Sequence, residues 1–177
     1  MAEHMSVDSL IERMEFVFPE SPIPEMTLLQ AQLCDRALGR EISDAEWDAT
    51  GQLDRCISWK GVASATLIKC DAALSHITED GFVYYIPAYM RLALRQLVDS
   101  VDLQWEAYGS TISHLTGTSN YNLGRYKRFT DTQIDVVTAF LQRVRTAGGF
   151  EGKMAAEGLA KYWETPEARR RTIIHLA

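Results

Sequence analysis

Few residues in this chain have the types and spacing that chemistry needs. His76 stands three residues before Glu79 and four before Asp80, which sets an imidazole beside carboxylates for proton transfer. His114 lies in "STISHLTG" with Ser110 and Ser113. A serine and a histidine so close in sequence become a nucleophilic pair only with an orienting acid and an oxyanion hole. Asp44, Glu46 and Asp48 gather around Trp47, and Asp54 follows. Such a group suits a cation or a basic protein surface, and it equally suits a solvated helix face. Tyr84 and Tyr85 sit in "EDGFVYYIPAYM", where amphipathic rings serve either recognition or a core. Arg169, Arg170 and Arg171 form a basic run that could touch phosphate or pair with acids on a neighbouring helix. His175 is nearly terminal.

The usual catalytic signatures are missing. The sequence holds no His-Glu-x-x-His, Walker A loop, Gly-x-Ser-x-Gly or dinucleotide fingerprint. Cys34, Cys56 and Cys70 form no Cys-x-x-Cys and have no histidine at metal-ligand spacing, so they read as reduced, buried thiols of a cytoplasmic protein. No metal, no cofactor and no catalytic residue is expected, and the balance leans away from an enzyme. Net charge is −6. Residues 1–80 carry fifteen acids against six bases and residues 81–177 nine against twelve, so the halves stand at −9 and +3. An acidic half repels phosphate, which argues against nucleic acid, and it steers a basic protein partner. No apolar run reaches the roughly 20 residues of a membrane span.

These side chains must be held by helices, because the apolar residues recur at helical spacing almost throughout. Val7, Leu10, Ile11, Met14 and Phe18 make one stripe, ended by Pro19. "PESPIP" reads as a linker, with Pro24 in the first turn of the next helix. Ser43 with Glu46 and Thr130 with Gln133 have the spacing of capping boxes, and Thr78 caps a turn carrying Glu79 and Asp80. Residues 63–75 read as one closely packed helix, and residues 116–128 as a surface loop. Pro87 predicts a bend, with a short helix before it and a longer one starting at it. The expectation is an all-α bundle of seven or eight helices. The first five residues, "MAEHM", resemble a cloning remnant. Residues 6–149 form the core domain, and residues 150–177 a helical extension packed on it.

The segment with Phe82, Tyr84, Tyr85, Pro87 and Ala88, the Trp-bearing "DAEWDA" upstream and "FTDTQIDVVTAFL" downstream resemble, in that order, the signature of a bacterial helical family of unknown function. The resemblance covers roughly residues 8–146 and implies a compact helical fold without established catalytic residues. Some proteins of this kind accompany toxins as immunity proteins. The leading expectation is therefore a non-enzymatic binder that occludes a basic toxin with an acidic surface, through Asp44, Glu46, Asp48, Asp54, Tyr84 and Tyr85. A second is an enzyme or small-ligand protein with a pocket at His76 or His114. A third is a subunit self-associating through Trp59, Trp105 or Tyr121. The oligomeric state stays open.

Overall fold

A computed structural model describes residues 5–99 and 105–169. His4, Arg170, Arg171 and His175 lie outside the described residues, as do the side chains of Trp105 and Arg169. The elements run α1 (Val7–Val17), α2 (Leu28–Ala37), α3 (Asp44–Gln52), a 3-10 turn (Trp59–Gly61), α4 (Ser64–Lys69) and α5 (Ala73–His76). They continue with α6 (Glu79–Asp99), α7 (Trp105–Thr116), α8 (Asn120–Tyr126), α9 (Asp131–Ala147) and α10 (Gly149–Gly158). A π-helical turn (Leu159–Trp163) and α11 (Pro166–Arg169) follow. Among the described residues there is no strand, and eight helices have seven residues or more, which is the all-α architecture the periodicity predicts.

Helix α6 is the axis of the fold and packs against α1, α4, α7, α8, α9 and the 3-10 turn. Its segment from Phe82 to Met90 is apolar on every side, and a helix of that kind must be enclosed. Phe82, Tyr85, Ile86, Ala88, Tyr89 and Met90 are all at most 1% exposed. The dense aromatic stretch is thus the centre of the core. The expected bend does not divide it: α6 is helical from Glu79 to Asp99 with Pro87 inside. Proline removes one helical hydrogen bond there, and the surrounding packing carries the helix through.

Three other readings are corrected. The second helix starts at Leu28, capped by Thr27 in a full capping box with Gln30, so Pro24 and Met26 belong to the connection before it. Residues 63–75 break into α4 and α5, with the Asp71 carboxylate accepting from the Ala72 amide at the break (2.9 Å). Residues 116–128 contain α8, whose N-cap is Ser119 and whose Arg125 and Tyr126 are buried. The Thr130–Gln133 capping box forms as expected, whereas Ser43 caps α3 one way only, since the Glu46 carboxylate turns to Arg40 instead of reaching back; Thr78 accepts from the Gly81 amide at 3.2 Å.

Residues 150–169 share the same core. Helix α10 packs on α9 and α7, and Leu159 and Trp163 are fully buried. The Trp163 ring meets Tyr126, Tyr162 and Phe129. Gly158 permits this closeness, since a Cβ there would come within 2.7 Å of the Thr116 side chain. Of the cysteines, Cys70 is buried, with its thiol pushed up to about 11 by desolvation, whereas Cys34 is half-buried and Cys56 exposed. No described helix is long and apolar enough to cross a membrane.

Candidate functional site

The proline-rich connection between α1 and α2 is pinned at its first residues. Trp59 Nε1 donates to the Pro19 carbonyl (3.1 Å), and the Tyr84 hydroxyl donates to the Glu20 carbonyl (2.8 Å). The Glu20 carboxylate accepts from Ser58 Oγ (2.7 Å) and pairs with Lys60 (3.1 Å). Those two contacts, Ser58 first, hold its pKa below the ordinary carboxylate value. Prolines at 19, 22 and 24 limit how the segment folds back, and the Ser21–Pro22 peptide is cis. The segment so held forms one wall of a cleft of about 660 Å³.

Helix α3 supplies a second wall. Gln30 joins it to α2, because its Oε1 accepts from the Thr27 amide (2.9 Å) while its Nε2 donates to the Trp47 carbonyl (3.0 Å). Trp47, half-buried, then faces the cleft together with Ile23, Met26, Val83 and Tyr84. The exposed part of the lining includes charged residues: Glu25, and Asp80 paired with Arg128 (Nε to Oδ1, 3.0 Å). The volume falls within the roughly 300–1,000 Å³ of ordinary ligand sites, and the walls are apolar with a few charged residues among the lining. The lining holds no histidine, cysteine or lysine. Its chemistry is shape, apolar contact and exposed charge.

The six residues expected to contact a partner divide into three groups. Asp44 and Asp48 are exposed on α3, and Glu46 beside them forks with Arg40 (Nη1 to Oε2, 2.8 Å), which lowers the pKa of its carboxyl. Tyr84 is 8% exposed and lines the cleft. Asp54 and Tyr85 lie inside, 7% and 1% exposed, and are not part of the acidic outer face. Asp54 Oδ2 accepts from the Leu29 amide (2.9 Å), so it caps α2 across 25 residues of sequence. The Tyr84 and Tyr85 rings meet edge to face, centroids 4.9 Å apart.

The two histidines stand elsewhere. His76 Nε2 is 3.4 Å from Asp35 Oδ1 on an exposed surface. His114 Nε2 contacts the Ser75 hydroxyl at 3.2 Å, a pairing that joins serine and histidine from different helices rather than the serines beside it in sequence. Burial first, and the Arg125 charge second, depress its pKa to about 4. Of the aromatic residues considered for self-association, Trp59 is fully buried. Tyr121 is half-exposed, its hydroxyl donating to the Ser75 carbonyl (2.8 Å). Reading by residue type missed the contributions of Glu25, Met26, Arg128 and Gln133. The one available signal was the proline cluster, which fixes a wall as readily as it makes a linker.

Among the described residues no group of three or more His, Cys, Asp or Glu side chains is placed to hold a metal ion. No curated protein matches the chain, and no solved structure matches it. The model of the Family of unknown function (DUF6714) matches residues 6–167, which takes in α1 to α10, the cleft and the buried Trp163. The chain belongs to that family.

Proposed function

We propose that the protein is a non-enzymatic binding protein, an immunity protein that neutralises a basic toxin by covering its active site. The observation that carries the reading is the cleft beside Trp47: apolar and aromatic within, with exposed carboxylates at Glu25 and Asp80 in its lining and at Asp44 and Asp48 on the exposed face of the helix that supplies its tryptophan. Interfaces concentrate their affinity in aromatic anchors, and surrounding charge sets encounter rate and partner choice. A partner loop that filled the cleft with an apolar side chain and spread lysines or arginines over α3 would meet both features. Glu46 is already held by Arg40, so Asp44 and Asp48 are the acids of α3 open to a partner.

The test is capture of a basic partner from the source cell's lysate by the immobilised wild-type protein, repeated with two folded variants. Trp47→Ala should weaken the complex at least tenfold, consistent with a hot-spot truncation of about 2 kcal/mol. Asp44→Lys combined with Asp48→Lys should slow association and flatten its salt dependence. Co-expression should also relieve the partner's toxicity. A complex indifferent to all three substitutions removes this face from the reading, and a captured partner without toxicity removes the immunity role.

A further inference from the structure

Buried polar atoms in a folded protein are nearly all hydrogen-bonded, and an exception asks for a reason. Two exceptions lie side by side here. Asp54 Oδ1 is buried and no protein group meets it; Tyr85 Oη is buried as well, with only the Leu28 backbone close enough to contribute a loose hydrogen bond. Both side chains line a second cavity of about 110 Å³, the room of three or four liquid waters at about 30 Å³ each. It shares no lining residue with the cleft beside Trp47.

We propose that this cavity binds a primary alkylammonium group, carried by a free amine or by a lysine side chain of a protein. Three of the lining residues, Asp54, Tyr85 and Thr66, carry a side-chain oxygen, and an ammonium has three N–H donors on one centre. Asp54 has already committed Oδ2 to the Leu29 amide, which leaves one oxygen and therefore no fork for a guanidinium. Calcium takes six to eight oxygen ligands and magnesium six, so three side-chain oxygens serve a metal poorly. The carboxylate matches the positive charge, while Leu28, Ile57, Val62 and Ala63 give apolar wall for the methylenes next to it. The mouth is open to solvent: Ile57 is 40% exposed, and Gly61 and Ala63 are exposed.

The proposal is measured without any partner, so it can fail while the cleft binds, or hold while the cleft does not. n-Butylammonium and the peptide acetyl-Gly-Lys-Gly-amide are titrated separately into the full chain and followed by amide chemical shifts. Saturable shifts centred on Leu29, Val62 and Thr66 are expected, with affinity at least tenfold weaker in Asp54→Asn. Asparagine keeps an oxygen for the Leu29 amide and loses the charge. Thr66→Val is the second variant, removing one oxygen from the wall, and it should weaken binding several-fold. Binding of both probes assigns the headgroup as the recognised element. Binding of butylammonium alone points to a free amine, and of the peptide alone to a lysine in a protein. Absence of saturable shifts with either probe overturns the proposal, as would equal binding by wild type and both variants, or equal binding of n-butanol.

Discussion

Arg125 and Asp54 are both charged side chains withdrawn from water, and the fold treats them in opposite ways. Arg125, 0% exposed, has most of its donors engaged. Nη1 donates to the Leu74 carbonyl (2.6 Å) and Nη2 to the Ile77 carbonyl (2.7 Å), and Nη2 also meets the Tyr121 hydroxyl. Its plane lies over the Phe82 and Tyr121 rings, 4.7 and 3.9 Å from their centroids. Those carbonyls end α5, so the guanidinium acts as a C-cap supplied by a helix about fifty residues later. Asp54 caps a helix too, but with one oxygen, and its other oxygen borders a cavity. Arg125 Nε also lacks a partner, but both terminal nitrogens are consumed, and there the residue makes structure. Where a polar atom is left over beside open volume, the residue keeps capacity to bind.

Substitutions on the two sides should therefore differ in kind. The largest loss is expected from Trp163→Ala, because the ring is fully buried and packs on Phe129 and on Tyr126, the residue after Arg125: about 4 kcal/mol by chemical denaturation. Arg125→Leu should cost about 3 kcal/mol, since two buried carbonyls lose their donors. An unchanged midpoint there would break the contrast with Asp54. His114, which touches Ser75 in the same region, sharpens it through pH. Its folded pKa is depressed to about 4, against an ordinary value of 6.5. The unfolded chain takes the proton first as pH falls, so stability is full above about pH 6.5 and drains towards pH 4, by up to about 3 kcal/mol. His114→Gln should flatten that slope in urea titrations at several pH values. Asp54→Asn should have the smallest effect on stability, within about 1 kcal/mol, because the α2 cap survives. A loss as large as that of Arg125→Leu would show that Asp54 is structural after all.

The sequence carried those features whose causes are local. The Val7-to-Phe18 stripe and the Thr130–Gln133 capping box each need only a few neighbouring residues, and each forms as read. The division into two helices at Pro87 failed because local preference lost to enclosure: the helix through it is packed on every side. Helix α8 was hidden because its apolar content is low and half of its burial, beside Tyr126, comes from Arg125, a residue type that hydrophobic periodicity counts as exterior. Asp54 looked like one more surface acid because its partner amide lies 25 residues back in the sequence. The cleft was illegible for the same reason. Trp47, Tyr84, Arg128 and the proline segment are scattered along the chain, and no spacing rule relates them.

That scatter has a consequence for the protein's lifetime. The cleft takes its lining from residues 19–26, 47, 78–84 and 128–133, so an opened chain loses it. Whatever fills it binds the complete native state and not the opened chain, and each tenfold of occupant above its dissociation constant withdraws about 1.4 kcal/mol worth of unfolded molecules from circulation. Proteases that digest transiently opened chains act on that same population. An occupied molecule should therefore outlast an empty one in the cell, and the abundance of the protein would follow the abundance of its occupant.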